Sequence, residues 1–390
     1  MPQSPGQLAT ATHYNTVATD VNKVFGDNYS SAAVTDTNRI ATHKFGWGAT
    51  NVANALATGT TITAARLQAL VERTNVSIDH INVTDTTLIF AVPTGRTNVT
   101  ANTLVRAEDL NLVSDKFTNT ILSNNNHATV DPANASALVA NPTSGGPYTR
   151  STQWQDKLVG EHKWIFSSYN DARYFFNGGG QLRIALQMAS GTTAGYYNWA
   201  DVINEMGVLN FTWDTVTQSS STTAGTSTGK GFYELTQYYG DGTDSGSANE
   251  GLLFTSSGVT LSQIVGDRPG TYGSAYGFIT GPGGHPEWSD PALLPDGSYS
   301  NSVYASAYSV YSSYQQLKFK LYGKYTDNGA GVQFKILLDD TSHANVVDGT
   351  ITPTISYLMP DTITNGGATF DVTPAPTVSI VNNLTSGDDS

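Results

Sequence analysis

The 390-residue chain predicts an α+β fold that is mainly β, with N-terminal amphipathic helical repeats followed by a β-sandwich-like domain carrying short helices. Three observations predict it. Three segments near the N-terminus superpose as one helical stripe, the residues beyond 150 alternate apolar and polar with period two, and the composition is that of a turn-rich β-protein.

The helical segments align on Tyr14, Leu67 and Leu110. Three places on stand Val17, Leu70 and Val113; seven on, Val21, Thr74 and Phe117; eleven on, Phe25, Ile78 and Ile121. These offsets trace one face of a helix with 3.6 residues per turn. The place after the origin is polar each time, at Asn15, Gln68 and Asn111, and each segment opens on an apolar residue and an alanine: Leu8 and Ala11, Ile62 and Ala64, Leu104 and Ala107. Thr61 or Thr63, and Asn102 or Thr103, are the expected N-caps, and Pro5 suits the first turn of the first helix. An amphipathic helix cannot bury its stripe alone. The copies therefore either pack into one bundle or pair with their counterparts in neighbouring subunits. Between the second and third helices, Leu88-Ile89-Phe90-Ala91-Val92 has the signature of a strand.

Residues 124–150 are rich in Asn, Pro, Gly and Ser without sustained periodicity and read as a linker. The expected organisation is therefore a helical region for attachment and assembly over 1–123, the linker, and a β-rich domain over 151–390, with a terminal hairpin module separable from about residue 300. In that domain, Ser167 or Ser168 caps a short helix that exposes Asp171 and Arg173 while burying Tyr169, Ala172 and Phe176. Asn177-Gly178-Gly179-Gly180 stops it, and Leu182, Ile184 and Leu186 alternate as a strand. A second helix, Trp199 to Met206, buries Trp199, Val202, Ile203 and Met206 and ends at Gly207, after which Leu209, Phe211 and Trp213 alternate again. Ser219 to Gly231 is low in complexity and reads as an exposed loop. Leu317, Phe319 and Leu321, the turn Asp327-Asn328-Gly329, and Val332, Phe334, Ile336 and Leu338 make a β-hairpin. Ile351, Ile355 and Tyr357, then Val378 and Ile380, add strands, and a sandwich is the economical way to pack them.

Composition narrows the function classes. Nineteen basic residues against 32 acidic give a net charge of -13, which sets the chain against phosphate backbones unless a basic patch forms locally. Charged residues make up only 13% of the chain and Gly numbers 38, so solubility rests on neutral polar groups, as on extracellular and virion surfaces. Cys is absent, which excludes disulfides, thiolate catalysis and thiolate metal sites. The N-terminal stretch MPQSPGQLATATHYNTVATD lacks a basic start followed by an apolar run, and no apolar run long enough to span a bilayer occurs. Neither a signal peptide nor membrane insertion is expected.

No residue pattern identifies a reaction, and the expected catalytic, cofactor-binding and metal-ligating residues are none. The histidines, at 13, 43, 80, 127, 162, 285 and 343, show no metal-ligand spacing. Gly178-Gly179-Gly180 lacks the Lys-Ser/Thr and the helix of a phosphate loop and reads as a tight turn. Asp241 to Gly246 is oxygen-rich, but the twelfth place of an EF-hand pattern would be Leu252, so it reads as a solvated turn, with a bound Ca ion left open. Asp339 and Asp340 are neighbours on a strand and point to opposite faces, so they make no acid/base pair by themselves. Asp388-Asp389 lies near the chain end. The run Tyr299, Tyr304, Tyr308, Tyr311 and Tyr314 reads as a packed stripe in preference to a recognition surface. The sequons Asn82-Val83-Thr84 and Asn98-Val99-Thr100 predict no glycan without an export signal.

The stretch Trp164-Ile165-Phe166 through Asn170-Asp171-Ala172-Arg173-Tyr174-Phe175-Phe176-Asn177-Gly178-Gly179-Gly180-Gln181-Leu182-Arg183 resembles a recurring segment in virion structural proteins of tailed bacteriophages, particularly cyanophages and other marine phages. The helical openings of the form Gly-x-x-Ile/Leu-Thr-Ala look like elements of the same proteins. The resemblance implies a virion-located, non-enzymatic tail, baseplate, neck or fibre component without cofactor. Its partners would be copies of itself, with a trimer as the analogous state, and other phage tail, baseplate or neck proteins. Nucleic acid is not among them. Two alternatives stand beside a tail or baseplate appendage. One is a carbohydrate-binding or depolymerising tail protein that contacts host surface glycan, which two carboxylates converging near Trp288 or Trp199 would favour. The other is a neck or capsid decoration protein.

Overall fold

The computed structural model describes residues 7–25, 46–49, 53–81, 105–118, 137–139, 148–218, 225–232, 235, 251–256, 317–340, 346–360, 363–365, 368–370 and 375–386. The chain divides into two compact units. One comprises 1–137, 166–181 and 358–375; the other comprises 138–165, 182–357 and 376–390.

In the first unit, α1 (Ala11–Phe25), α2 (Ala64–Ile81) and α3 (Ala107–Lys116) pack pairwise against one another. The stripe residues Val17, Val21, Phe25, Leu70, Thr74, Leu110, Val113 and Phe117 are all fully buried. The stripes thus close on one another inside a single chain, as the bundle alternative requires, and are not left over for neighbouring subunits. The repeat extends to the caps. Thr10 Oγ1 accepts from His13 N at 3.2 Å, Thr63 Oγ1 from Arg66 N at 3.4 Å, and Asp109 Oδ2 from Arg106 N at 2.8 Å, so each helix begins after a residue four places before its origin. Thr63 is the cap expected for α2. For α3 the cap is Arg106 and not Asn102 or Thr103: Asp109 supplies the carboxylate that satisfies the cap backbone from inside the first turn. Residues 82–104 and 119–123, including the expected strand at 88–92 and Ile121, lie outside the described residues, as does Pro5.

Two excursions from the second unit complete the first. The helix α4 (Tyr169–Asn177) is capped by Ser168, whose Oγ accepts from Asp171 N at 3.1 Å. It buries Ala172 and Phe176 as expected and Phe175 besides, but Tyr169 is only half-buried and Arg173, expected on the surface, is fully buried. A guanidinium is tolerated there because it lies over the Tyr174 ring at 4.6 Å and reaches Asn170 Oδ1 at 3.3 Å. Gly179 takes a positive φ of 97°, and a side chain at Gly180 would strike the Phe175 ring, so the glycines are a turn as read.

The second unit is the sandwich. One sheet has the order β13-β2-β9-β8-β7-β6 and the other β1-β10-β3-β4-β5. Strand ranges are β1 Ala137–Val139, β2 Lys157–Ile165, β3 Gln181–Ala189, β4 Leu209–Phe211, β5 Val216–Gln218, β6 Gly225–Ser227, β7 Leu252–Ser256, β8 Lys318–Thr326, β9 Gly331–Asp339, β10 Thr350–Leu358 and β13 Thr377–Ser386. β11 (Ile363–Asn365) and β12 (Ala368–Phe370) form a separate hairpin grouped with the first unit. The expected hairpin is β8 and β9, in full antiparallel register from Lys318↔Asp339 to Thr326↔Gly331. Strict alternation on β2, β8 and β10 buries every second residue. The two sheets meet through aromatic rings: Trp164 on β2 stands edge-on to Tyr357 on β10 at 5.8 Å, and Phe211 on β4 to Phe334 on β9 at 5.0 Å. The helix α5 (Ala194–Met206) buries Trp199, Val202, Ile203 and Met206 and stops at Gly207, where φ is 62°. The stretch 219–231, read as a loop, contains β6 at its described end, where Gly225 leaves room for the Phe254 ring. Within 124–150, Arg150 forms a two-bond bridge to Ile351 on β10, 2.9 Å each way.

Candidate functional site

Chemistry-bearing side chains gather at two places in the sandwich unit, and the described histidines are divided between the two units. The first is the end of β9 in the sandwich unit. Asp340 follows the strand, is 1% exposed, and its backbone N–H donates to Asp156 O at 2.6 Å. Trp199 Nε1 donates to Asp340 Oδ2 at 3.4 Å, and the Trp199 ring packs on Trp154 at 5.7 Å. Burial in this aromatic setting, together with the nearby Asp156 and Asp339 carboxylates, raises Asp340 to about 7, and the Trp199 hydrogen bond offsets only part of that. Asp339 points the other way, as expected, and pairs with Lys320 at 3.4 Å. Asp340 is thus a carboxyl near Trp199 with a second carboxyl close by. However, a general acid must come within hydrogen-bond reach of its substrate. The Asp340 side chain is 1% exposed, with one oxygen on an indole N–H.

The second place is the start of α5. Asp348 accepts from the backbone N–H groups of Thr192 and Thr193 and from both hydroxyls, at 2.7 to 3.0 Å. Its slight burial acts to raise its pKa, but the four donors overcome this and hold the carboxylate down at about 2. The charge also faces the N-terminus of α5, where it opposes the positive end of the helix. This is an anchor fixing the helix to the strand that follows Val347.

The described histidines form no single cluster: His162 lies in the sandwich unit, His13 and His80 in the helical unit. His162 on β2 is fully buried, lowered to about 3 by desolvation, with Tyr148 Oη 3.4 Å from Nδ1 and the Phe334 ring 5.4 Å away. In the helical unit, His80 near the end of α2 stands edge-on to Trp47 at 4.7 Å and is lowered to about 4, again by desolvation. Trp47 Nε1 donates to Asn177 O at 3.2 Å, and Asn177 Nδ2 donates to Gly46 O at 3.2 Å. These rings tie the ends of α1, α2 and α4 together. His13 is buried on α1 and also lowered by desolvation.

Among the described residues no group of three or more His, Asp or Glu is placed to hold a metal ion, and no helix is long and apolar enough to cross a membrane. His43, His127, His285, His343, Trp288, the tyrosine run 299–314, the 241–246 turn, both sequons and Asp388-Asp389 lie outside the described residues. Sequence reading did not foresee the buried environment of Asp340, because Trp154 and Trp199 reach it from remote segments. The cue available was the charged pair Asp339-Asp340 directly after the apolar run Ile336-Leu337-Leu338. No family model matches the chain, and no curated protein or solved structure matches it either.

Proposed function

We propose that the chain is a non-enzymatic structural protein of a tailed-phage virion, a tail or baseplate appendage or fibre-associated component that acts by assembly. The observation that carries this reading is the segment from Trp164 to Arg183, which resembles a recurring segment of such proteins. In the fold it leaves the sandwich as β2, adds α4 to the helical unit and returns as β3. The surface chemistry agrees with it: few charges, abundant Ser, Thr, Asn and Gly, and no cysteine, a composition that tolerates exposure outside a cell.

The mechanism follows from where apolar surface goes. The helical stripes are spent within the chain, so attachment to copies and neighbours uses polar faces and loops of both units. Identification of the chain in purified particles, with its copy number and position, tests the reading; a chain found only free in the lysate sinks it. A neck or capsid decoration role is separated from a tail role by the same localisation.

A further inference from the structure

The alternation of β2, β9 and β8 sends one set of side chains into the sandwich core and the other to the outer face of the six-stranded sheet. The register collects cations there. Lys157, Asp339 and Lys318 lie side by side in one row; Val159, Leu337 and Lys320 in the next; then Glu161, Lys335 and Tyr322; then Lys163, Gln333 and Lys324. Six of the ten lysines in the chain thus share one face of three adjacent strands, contributed by segments more than 150 residues apart. Lys163 pairs with Asp327 at 3.2 Å and Lys320 with Asp339 at 3.4 Å, while Lys157, Lys318 and Lys324 form no ion pair with a described residue. Counting Glu161, Asp339 and Asp327, the face has a formal surplus of +3 within a chain of -13, which leaves -16 for everything else.

Scale decides whether such a face can act against the net charge. Lys157 and Lys318 are two strands apart, about 10 Å, and Lys318 to Lys324 spans about 20 Å along β8. With a screening length of about 8 Å at physiological salt, the lysines act together on a ligand lying on the face, while more distant acidic groups are largely screened.

We propose that this lysine face binds an acidic polysaccharide, a chain of carboxylated or sulfated sugars, laid across β2, β9 and β8. Charge complementarity requires an anionic partner, and the composition of the face selects among anions. Protein interfaces are depleted of lysine at their centres and enriched in arginine and aromatic residues. This face carries no arginine, and its central apolar residue, Leu337, is only 2% exposed. Single-stranded nucleic acid needs aromatic rings on which bases stack, and the one aromatic in these rows, Tyr322, already has the Lys335 ammonium over its ring at 4.9 Å. A hydrated sugar polymer needs neither. Lysine ammoniums are mobile point charges suited to carboxylate and sulfate without fixed geometry, and Gln333 and Asn382, whose amide nitrogens donate to Glu161 Oε2 at 3.1 and 2.7 Å, keep their amide oxygens as acceptors for sugar hydroxyls.

The test uses the full-length chain, with heparin as the sulfated probe, polygalacturonate as the carboxylated probe, and neutral dextran and an oligo-dT strand for comparison. Expected is binding to at least one acidic glycan and not to dextran, weakening by roughly an order of magnitude between about 50 and 200 mM salt as counterions are exchanged. The triple variant Lys157→Gln, Lys318→Gln, Lys324→Gln should bind at least tenfold more weakly with an unchanged melting temperature, and the corresponding triple Lys→Arg variant should bind like the parent. Lys23→Gln with Lys116→Gln, on α1 and α3, should have no effect. Four outcomes each overturn the proposal: no binding to either acidic glycan; equal binding by the folded Gln variant; oligo-dT binding as tight as glycan binding; or salt-sensitive self-association without glycan that the Gln variant abolishes. None of these bears on the virion reading, which rests on localisation.

Discussion

Asn22 on α1 holds the backbone of Ala53 from both sides, its Nδ2 donating to Ala53 O at 2.6 Å and its Oδ1 accepting from Ala53 N at 2.9 Å. Two turns earlier, Asn15 does the same to Leu56, at 2.9 and 2.7 Å. Seven helical residues rise about 10.5 Å, and three extended residues cover about 10 Å. The two amides therefore match two peptide units of a strand-like segment running antiparallel to the helix. Gln68 does not make this pair of bonds: it donates to Glu72 at 3.2 Å on the surface. The polar position of the repeat is thus used differently in the first and second copies.

Replacing Asn22 by Ala should be costly, because it strands a buried N–H and a buried C=O together. An unsatisfied buried backbone group costs about 1–3 kcal/mol, so a loss of about 2 kcal/mol or more in chemical denaturation is expected. Asn15→Ala, at a half-buried site, should cost less.

Thr74 tests the repeat from the opposite direction. It occupies the stripe position filled by Val21 and Phe117, is fully buried, and its hydroxyl donates only to Leu70 O, 2.8 Å away in the same helix. Thr74→Val should change stability by less than about 1 kcal/mol, since the helix ladder still satisfies that carbonyl. Leu70→Ala, one turn earlier, should cost about 2–5 kcal/mol by opening a cavity. Equal costs for the two variants would contradict the packing described.

The buried titratable groups set opposing pH dependences. His80 and His162 take a proton at 6.5 when unfolded but only at about 4 and about 3 when folded. The unfolded chain therefore binds more protons in those windows, and stability falls as pH drops from 6.5 towards 4 and then 3. Asp340 behaves inversely: folded, it keeps its proton up to about 7, against 3.8 unfolded, so its contribution declines as pH rises from 3.8 through 7. Melting temperatures of the parent and Asp340→Asn, compared at pH 5 and pH 8, should show the variant gaining on the parent at the higher pH. A constant difference would remove the buried-acid assignment.

Asp348 should be the acid-sensitive anchor. Its carboxylate, held at about 2 against 3.8 unfolded, adds stability above pH 3.8 that is lost as pH falls towards 2. Asp348→Asn should destabilise by about 1 kcal/mol through the lost charge-assisted bonds, and hydrogen exchange should speed up at the first turn of α5.

What the sequence made legible follows from how far each cue reaches. Period and capping are local, so the stripe of α1 to α3, the cap at Thr63, the Ser168 start of α4 and the β8–β9 hairpin could all be read directly. Arg173 was expected on the surface because charge alone says nothing of a ring and an amide brought to it by its own helix turn. The Arg106 cap of α3 was missed because its carboxylate, Asp109, lies inside the first turn. The lysine face required register between β2 and β8–β9. No local cue carries that register, and the net charge of -13 concealed the face.

The central claim, a non-enzymatic virion component, is tested most directly by locating the full-length chain in purified, intact phage particles by tag-directed electron microscopy with copy-number quantification. The account predicts a fixed copy number per particle at the tail or baseplate. Absence from particles, with the chain recovered only as a free protein, would contradict it.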